Sequence, residues 1–343
     1  MITIDGSEGE GGGQVLRYAA ACSLLTGEAF TITNIRGGRE KPGLLRQHVT
    51  ALEAACVIGG GECTGLAVGS RELTFRPGQV SPGEYRFAVA TAGSTGLVLQ
   101  TVLVPLMVAD APSRLVIEGG THASAAPPFE FLQQTLLPVL QRMGPRLSVT
   151  LERHGFYPRG GGRIVVEITP APLRPIECVQ RGDFQGGRVE AVFAGLPFDI
   201  AERELKAARK VLPDWPEDVF VPNALPAEHG PGNALLIAAH FDHVTEVMSG
   251  FAKLGVPAER LAQTAARRMA GYLECDAFAG PYLQDQLLLP FAWAGGGAFT
   301  TVKLSEHTRT AARLIERFTG TSFRFTERSE GGWLVEVGSE AVP

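Results

Sequence analysis

The sequence predicts an α/β (α+β) protein built from a repeated supersecondary unit, with a smaller α/β domain inserted before the last repeat. Three observations carry this reading. A helix–strand–helix–strand–strand order occurs three times along the chain. A Gly-rich turn stands near a corner of each block, at Gly11–Gly13, Gly160–Gly162 and Gly295–Gly297. The rhythm breaks between about Gly187 and Gly280. Each block reads as one α/β layer with helices on one sheet face, and such layers pack helix face against helix face. The domains then read as residues 1–184 for the first two units, 185–279 for the insertion, and 280–343 for the third unit, which completes the large domain.

In the first block, Met1–Asp5 reads as a short strand and Ser7–Gly13 as a Gly-rich turn carrying Glu8 and Glu10. Gln14–Leu25 is apolar and helical, stopped by Gly27. Phe30–Ile35 alternates like a strand. A basic loop with Arg36, Arg39 and Lys41 leads into a helix from about Leu44 to Ile58, ended by Gly59–Gly61, with strands near Gly65–Val68 and Glu72–Phe75.

The second block has a strand at Tyr85–Val89, the turn Ala92–Gly96, an apolar helix Leu97–Val108 and a strand at Arg114–Glu118. Pro127 and Pro128 open a helix to about Met143, and strands follow at Leu147–Arg153 and Arg163–Ile168. The insertion reads as a strand (Arg188–Phe193), a charged helix (Ala201–Val211), a strand (Ala234–Phe241) and an amphipathic helix (Ala258–Leu273). The third block has a helix at Tyr282–Trp293, a strand at Phe299–Leu304, a helix opened by the N-cap Ser305 and running to Phe318, and strands near Phe323–Phe325 and Trp333–Val337.

The bulk numbers bound the function. A chain of 343 residues is long enough for one large core or two domains. Its 45% hydrophobic and 20% charged residues are ordinary for a globular protein. A net charge of -5 excludes bulk electrostatic binding of nucleic acid, so a phosphate polymer must be held by a local basic cluster. The cysteines (Cys22, Cys56, Cys63, Cys178, Cys275) show no CxxC pairing, which suggests a reducing compartment, no disulfide framework and no structural zinc. The acidic, Gly-rich start is no signal peptide, and no apolar run approaches a membrane span. A soluble cytoplasmic protein without membrane contact is the expectation, and in a eukaryote the same reading admits a nuclear one. A homodimer is compatible with the sequence, since a surface helix can carry such an interface without a readable mark.

The candidate chemistry gathers at loop–helix junctions. His307 falls at the second position of its helix, where free backbone N–H groups and the positive helix end favour neutral, nucleophilic imidazole and a neighbouring phosphate. A histidine closing a core stripe with Ala311, Leu314 and Phe318 fits the same spacing. Arg17, Arg36, Arg39, Lys41, Arg46 and Gln47 form a basic cluster whose planar guanidinium forks suit a terminal phosphate. Gly9–Gln14 matches neither a P-loop nor a dinucleotide fingerprint, but lets backbone N–H groups approach a phosphate, and Glu10 could hold a divalent cation. Tyr282-Leu283-Gln284-Asp285-Gln286 is a polar knot on an apolar helix, suited to capping or to holding a ribose, a phosphate or His307. Gln100, in an apolar run, needs a buried partner. His154 reads as structural, and His240 and His243 do not read as a metal site.

Taken together, GEGGGQVLR (Gly9–Arg17), IRGGREKPGLLRQH (Ile35–His48), FRPGQV (Phe75–Val80), AGSTGLVLQTVL (Ala92–Leu103), RHGFYPRGGG (Arg153–Gly162), HGPGN (His229–Asn233), YLQDQLLLP (Tyr282–Pro290) and GGGAFT (Gly295–Thr300) resemble the RNA 3′-terminal phosphate cyclase family, in order and over nearly the whole chain. The resemblance implies a large domain of three βαβαββ-like units with a smaller domain inserted before the third. Enolpyruvyl transferases share the repeat type, so fold alone does not settle function.

The implied activity is that of a ligase. A histidine takes AMP from ATP with a divalent cation, Mg²⁺ or Mn²⁺. It passes the AMP to an RNA 3′-phosphate to give RNA(3′)pp(5′)A, and the 2′-OH closes a 2′,3′-cyclic phosphate. By resemblance, His307 is the nucleophile and Glu10 the metal contact. Gln100, Tyr282, Leu283, Gln284, Asp285 and Gln286 are implied to contact ATP, with Pro128 and Phe131 on the adenine rim. Arg17, Arg36, Arg39, Arg46 and Gln47 are implied to hold RNA or ATP phosphates, and a second aromatic wall is expected near Met248–Phe251. A non-catalytic branch, serving as an RNA-binding or ribosome-assembly factor, lacks the histidine, so His307 and YLQDQ favour the enzyme. The length and basic cluster argue against an enolpyruvyl transferase. The charge and the absence of an aromatic RNA-binding strand argue against a simple RNA-binding module.

Overall fold

The computed structural model of the chain describes residues 1–124 and 126–338. In chain order it begins with β1 (Ile2–Asp5), α1 (Gly13–Thr26), β2 (Phe30–Thr33), α2 (Arg46–Gly59), β3 (Glu62–Thr64) and β4 (Leu73–Arg76). β5 (Glu84–Ala88), α3 (Thr95–Met107) and β6 (Ser113–Gly119) follow. Then α4 (Phe129–Phe131), a π-helical turn (Leu132–Leu136) and α5 (Leu137–Gln141) run on as one rod. After β7 (Arg146–Arg153), β8 (Gly162–Thr169) and the short β9 (Glu177–Cys178) comes a segment that forms a sheet of its own. It comprises β10 (Phe184–Ala194), α6 (Phe198–Arg209), β11 (Phe220–Leu225), β12 (Gly232–Phe241), β13 (Thr245–Phe251) and α7 (Ala258–Leu273). The chain closes with α8 (Leu283–Gln286), α9 (Leu288–Trp293), β14 (Gly297–Thr301), α10 (Glu306–Thr319), β15 (Ser322–Glu327) and β16 (Trp333–Gly338).

The result is a mixed α/β protein with four four-stranded sheets among the described residues. Three sheets have the orders β1-β2-β4-β3, β5-β6-β8-β7 and β9-β14-β16-β15. In each, the first pair is parallel and the other two antiparallel. A parallel pair needs a crossover, and helices supply it. The remaining sheet, β11-β10-β12-β13, packs α6 and α7 against its strands, while β13 leans on α4 and the π-helical turn.

α1 is the hub. It touches α2, α3 and α10 and is apolar over most of its circumference, as a helix enclosed by others must be. Gly27 ends it at φ 75, a left-handed cap that a side chain would strain.

The structure differs from the sequence reading at several elements. The strand expected at Gly65–Val68 lies earlier, at β3, because Gly65 takes φ 80 and turns the chain. The Tyr282–Trp293 helix is divided at Leu287 into α8 and α9. Strands β9, β11 and β13 were not expected. All three lie on sheet edges, and Pro222 inside β11 is tolerated there because an edge strand can spare a backbone donor. β9 also places an edge of the third sheet upstream of the β11-β10-β12-β13 sheet.

Candidate active site

The N-termini of α1, α3 and α10 and the basic loop after β2 converge on one cleft, with β13 and α7 forming its far rim. Its volume is about 890 Å³. Local sequence explains the convergence. Ser305 caps α10 by accepting from the Thr308 N–H at 3.1 Å, and Ser94 caps α3. Gly12 and Gly13 open α1 without side chains, and a Cβ on Gly13 would collide with His48.

His307 stands at this mouth rather than in the core stripe, its side chain 51% exposed. Its Nδ1 lies 3.0 Å from Gln14 Oε1. Gln14 Nε2 in turn donates to Asp285 Oδ2 at 2.7 Å. Once Asp285 is ionised its carboxylate only accepts, so in that state the Gln14 amide is oriented with its oxygen toward the imidazole, and Nδ1 carries the proton. Nε2 is left with its lone pair, 3.9 Å from Glu10 Oε1. Tyr18 Oη holds the Asp285 main chain by donating to its carbonyl at 2.6 Å.

The electrostatics favour a neutral ring. Burial, then the charges of Arg39 and Arg17, lower the His307 pKa below its ordinary value. The direction is the one expected from a helix N-terminus, but the largest cause is burial. Burial pushes Asp285 up to about 7 against the opposing pull of Gln14 and Arg17. Burial lowers Arg17 to about 10, so it stays charged at neutral pH.

The expected residues divide between the wall and its support. Glu10, Arg17, Arg36, Arg39, Gln47 and Gln100 line the cleft, as do Tyr282, Asp285, Gln286 and His307. Arg39 pairs with Glu10, and Arg17 Nε donates to Gln100 Oε1 at 3.1 Å, giving that amide its partner. Arg36 spends Nη1 on the carbonyls of Lys41 and Gly43, which shapes the basic loop. Arg268 donates to the Tyr282 hydroxyl at 3.0 Å, tying the far rim to α8. Phe251 also reaches the cleft, where an aromatic wall was expected.

Arg46, Pro128, Phe131, Leu283 and Gln284 are not brought to the wall. Arg46 points to solvent and Phe131 and Leu283 are core residues. Pro128 caps α4, and the turning of the chain there presents Pro127 and Leu132 to the cleft instead. Gln284 is fully buried beneath α10. Its Oε1 accepts from Ser305 N–H at 3.1 Å and from the Thr308 hydroxyl at 2.7 Å. Gln284→Ala therefore orphans buried groups and is expected to lower unfolding stability by about 3 kcal/mol, read by urea denaturation.

Gln14 and His48 of the cleft escaped the sequence reading. Gln14 carried a signal, a polar side chain opening an apolar helix. His48 is buried, accepts the Leu45 N–H on Nδ1 at 3.0 Å, and is lowered to about 3 by burial and the charges of Arg17 and Arg36. The basic side chains Lys253, Arg260 and Arg268 of the far rim were also unforeseen, since only the tertiary fold brings them to the cleft.

The arrangement suits nucleophilic transfer of a phosphorus group. It has an imidazole whose surroundings favour the neutral form, with Nε2 unbonded among the described residues, and several arginines. Glu10 Oε2 is buried and has no hydrogen-bond partner among the described residues, so this carboxylate fits a divalent cation. Among the described residues, no helix is long and apolar enough to cross a membrane.

The chain matches the family model described as "RNA 3'-terminal phosphate cyclase" over residues 8–325. Proteins of that name are similar to it. The one from Koribacter versatilis is 50% identical over 328 residues, covering 95% of this chain and 92% of that protein. The one from Pseudomonas fluorescens is 47% identical over 318 residues, covering 93% and 92%. The one from Salmonella enteritidis is 44% identical over 338 residues, covering 98% of both.

Proposed function

The chain belongs to the RNA 3′-terminal phosphate cyclase family, and on that premise we propose that it is an ATP-dependent ligase converting an RNA 3′-terminal phosphate into a 2′,3′-cyclic phosphate. The observation that carries this reading is the state of His307: Nδ1 tethered through Gln14 to Asp285, Nε2 open to a basic cleft.

In the first step Nε2 attacks the α-phosphorus of ATP, a P–N bond forms and pyrophosphate leaves. The ring becomes positively charged, and Gln14, backed by Asp285, stabilises its Nδ1–H. An oxygen of the RNA 3′-phosphate then attacks the same phosphorus, giving RNA(3′)pp(5′)A and returning neutral His307. Finally the adjacent 2′-OH attacks the RNA phosphorus, its proton is lost, and AMP departs. Glu10 would hold a divalent cation, Mg²⁺ or Mn²⁺, which neutralises phosphate charge. Arg17, Arg36 and Arg39, with Gln47, face the phosphates. Gln100, Tyr282 and Gln286 bound the nucleotide, and Phe251 offers its base an aromatic wall.

The test is incubation with α-labelled ATP and a divalent cation, denaturation, and analysis for covalent AMP. A chase with RNA bearing a 3′-phosphate should discharge the label and yield the cyclic end. No covalent label on folded, ATP-binding protein would overturn the reading. Arg39→Ala should impair transfer to the RNA more than self-labelling, by roughly tenfold or more for a charge-assisted phosphate contact. Single-turnover assays of the two steps separate these effects.

A further inference from the structure

We propose that His122, Glu130 and His154 form a site for one divalent transition-metal ion of the zinc type, at the seam between the second sheet and the inserted domain and separate from the Glu10 cation. One donor atom from each residue lies within 4.8 Å of the others. His122 Nε2 is 2.9 Å from Glu130 Oε2 and 3.2 Å from Oε1. The His154 ring stacks on His122 with centroids 5.0 Å apart.

The surroundings favour an ion. His122 Nδ1 is 2.8 Å from Thr121 Oγ1, which also accepts the Gly155 N–H at 2.9 Å. When that Nδ1 donates its proton to Thr121, the Nε2 lone pair faces an acceptor-only carboxylate, and a cation between them satisfies both. With the proton on Nε2 the pair closes as a plain hydrogen bond, so metal content distinguishes the two states. A second observation points the same way. His229, whose ring centroid is 5.9 Å from that of His154, has a buried Nδ1 with no hydrogen-bond partner among the described residues. Two or three imidazoles with one carboxylate are a donor set for Zn²⁺ or Co²⁺ rather than for Mg²⁺, which prefers oxygen.

The site's place gives it work to do. Glu130 opens the α4 rod, His154 follows β7, and His229 ends a single 3₁₀ turn leading into β12. The Arg153 and Arg159 guanidinium groups already bridge this seam to the carbonyls of Glu228 and Gly230. Between His122 and Glu130 the chain carries Ser124, Ala126 and Pro127, which line the cleft. An ion here would pin that wall and the inserted domain to one anchor.

The experiment strips the full-length protein with a chelator, removes the chelator and titrates with Co²⁺, reading visible d–d absorption and bound metal. The expected result is about one equivalent with a low-coordinate spectrum, retained in Glu10→Ala. His154→Phe, which keeps a ring against Phe156, and Glu130→Gln should each weaken binding at least tenfold. Zn²⁺ should raise the melting temperature of the parent, measurable even where a variant folds poorly. The proposal is overturned if the folded parent binds no Co²⁺, if both variants bind as the parent does, or if the band disappears in Glu10→Ala.

Discussion

His307→Ala is expected to eliminate covalent AMP on the protein and to lower cyclisation by roughly 10⁴-fold or more, as loss of a covalent nucleophile does. The fold should persist. The side chain is half-exposed, alanine is a strong helix former, and the cap built from Ser305, Thr308 and Gln284 does not involve the imidazole. Gel analysis of protein labelled from α-labelled ATP reads the first effect, and circular dichroism checks the second. A variant that still takes up label would place the nucleophile elsewhere.

The same residue carries a pH signature. Its pKa is lowered by burial and by the charges of Arg39 and Arg17, so the ring stays neutral to lower pH than an ordinary histidine. The acid limb set by His307 should therefore lie below about 6.5. In Arg39→Ala a contributing positive charge is gone, and that limb should move up. A limb that stayed in place or moved down in this variant would contradict the electrostatic account.

The second large effect is expected from the tether. Gln14→Leu keeps the bulk of the side chain but removes both the acceptor for His307 Nδ1–H and the donor to Asp285. The ring loses its preferred tautomer and the support for its positive charge in the covalent state. Self-labelling should slow by roughly 10²-fold, while ATP binding, measured by calorimetry, changes little. Asp285→Asn should weaken the same step and remove an inflection near neutral pH, because the Asp285 pKa is pushed up to about 7. As pH rises through that value the carboxyl ionises and accepts more strongly from Gln14, so the rate of the parent should rise across the same window. A Gln14→Leu enzyme with unchanged self-labelling would reduce the tether to a packing contact.

Much of the candidate site was legible because it sits where local rules are strong. Ser305 announced an N-cap, and the structure has it capping α10. Gly27 announced a helix end, and it is the left-handed cap of α1. Arg36 and Arg39 lay in a loop between a strand and a helix, and both face the cleft. The resemblance depended on stretches such as Gly9–Arg17, Ile35–His48 and Tyr282–Pro290, and the family match over residues 8–325 covers them. The expected residues that stay off the cleft wall do so for physical reasons. α4 begins one residue after Pro128, so the residues reaching the cleft are its neighbours, a distinction that motif reading cannot make. Gln284 was implied by the resemblance to contact ATP, within a polar knot that suited capping as well. Its partners turned out to be Ser305 and Thr308 of the chain itself.

By itself the sequence determined the α/β class, the helices bounded by caps and glycines, and the family, because these depend on propensity and pattern over short spans. Only the tertiary structure decided that His307 leaves its core stripe for a cleft. Helix packing around α1 brought Gln14, Asp285 and His307 within hydrogen-bond reach although they lie far apart along the chain. The same holds for His122, Glu130, His154 and His229, whose meeting follows from strand ends, a helix start and a 3₁₀ turn placed side by side across a seam. Directional contacts between distant residues are set by packing to fractions of an ångström, and no local preference encodes them.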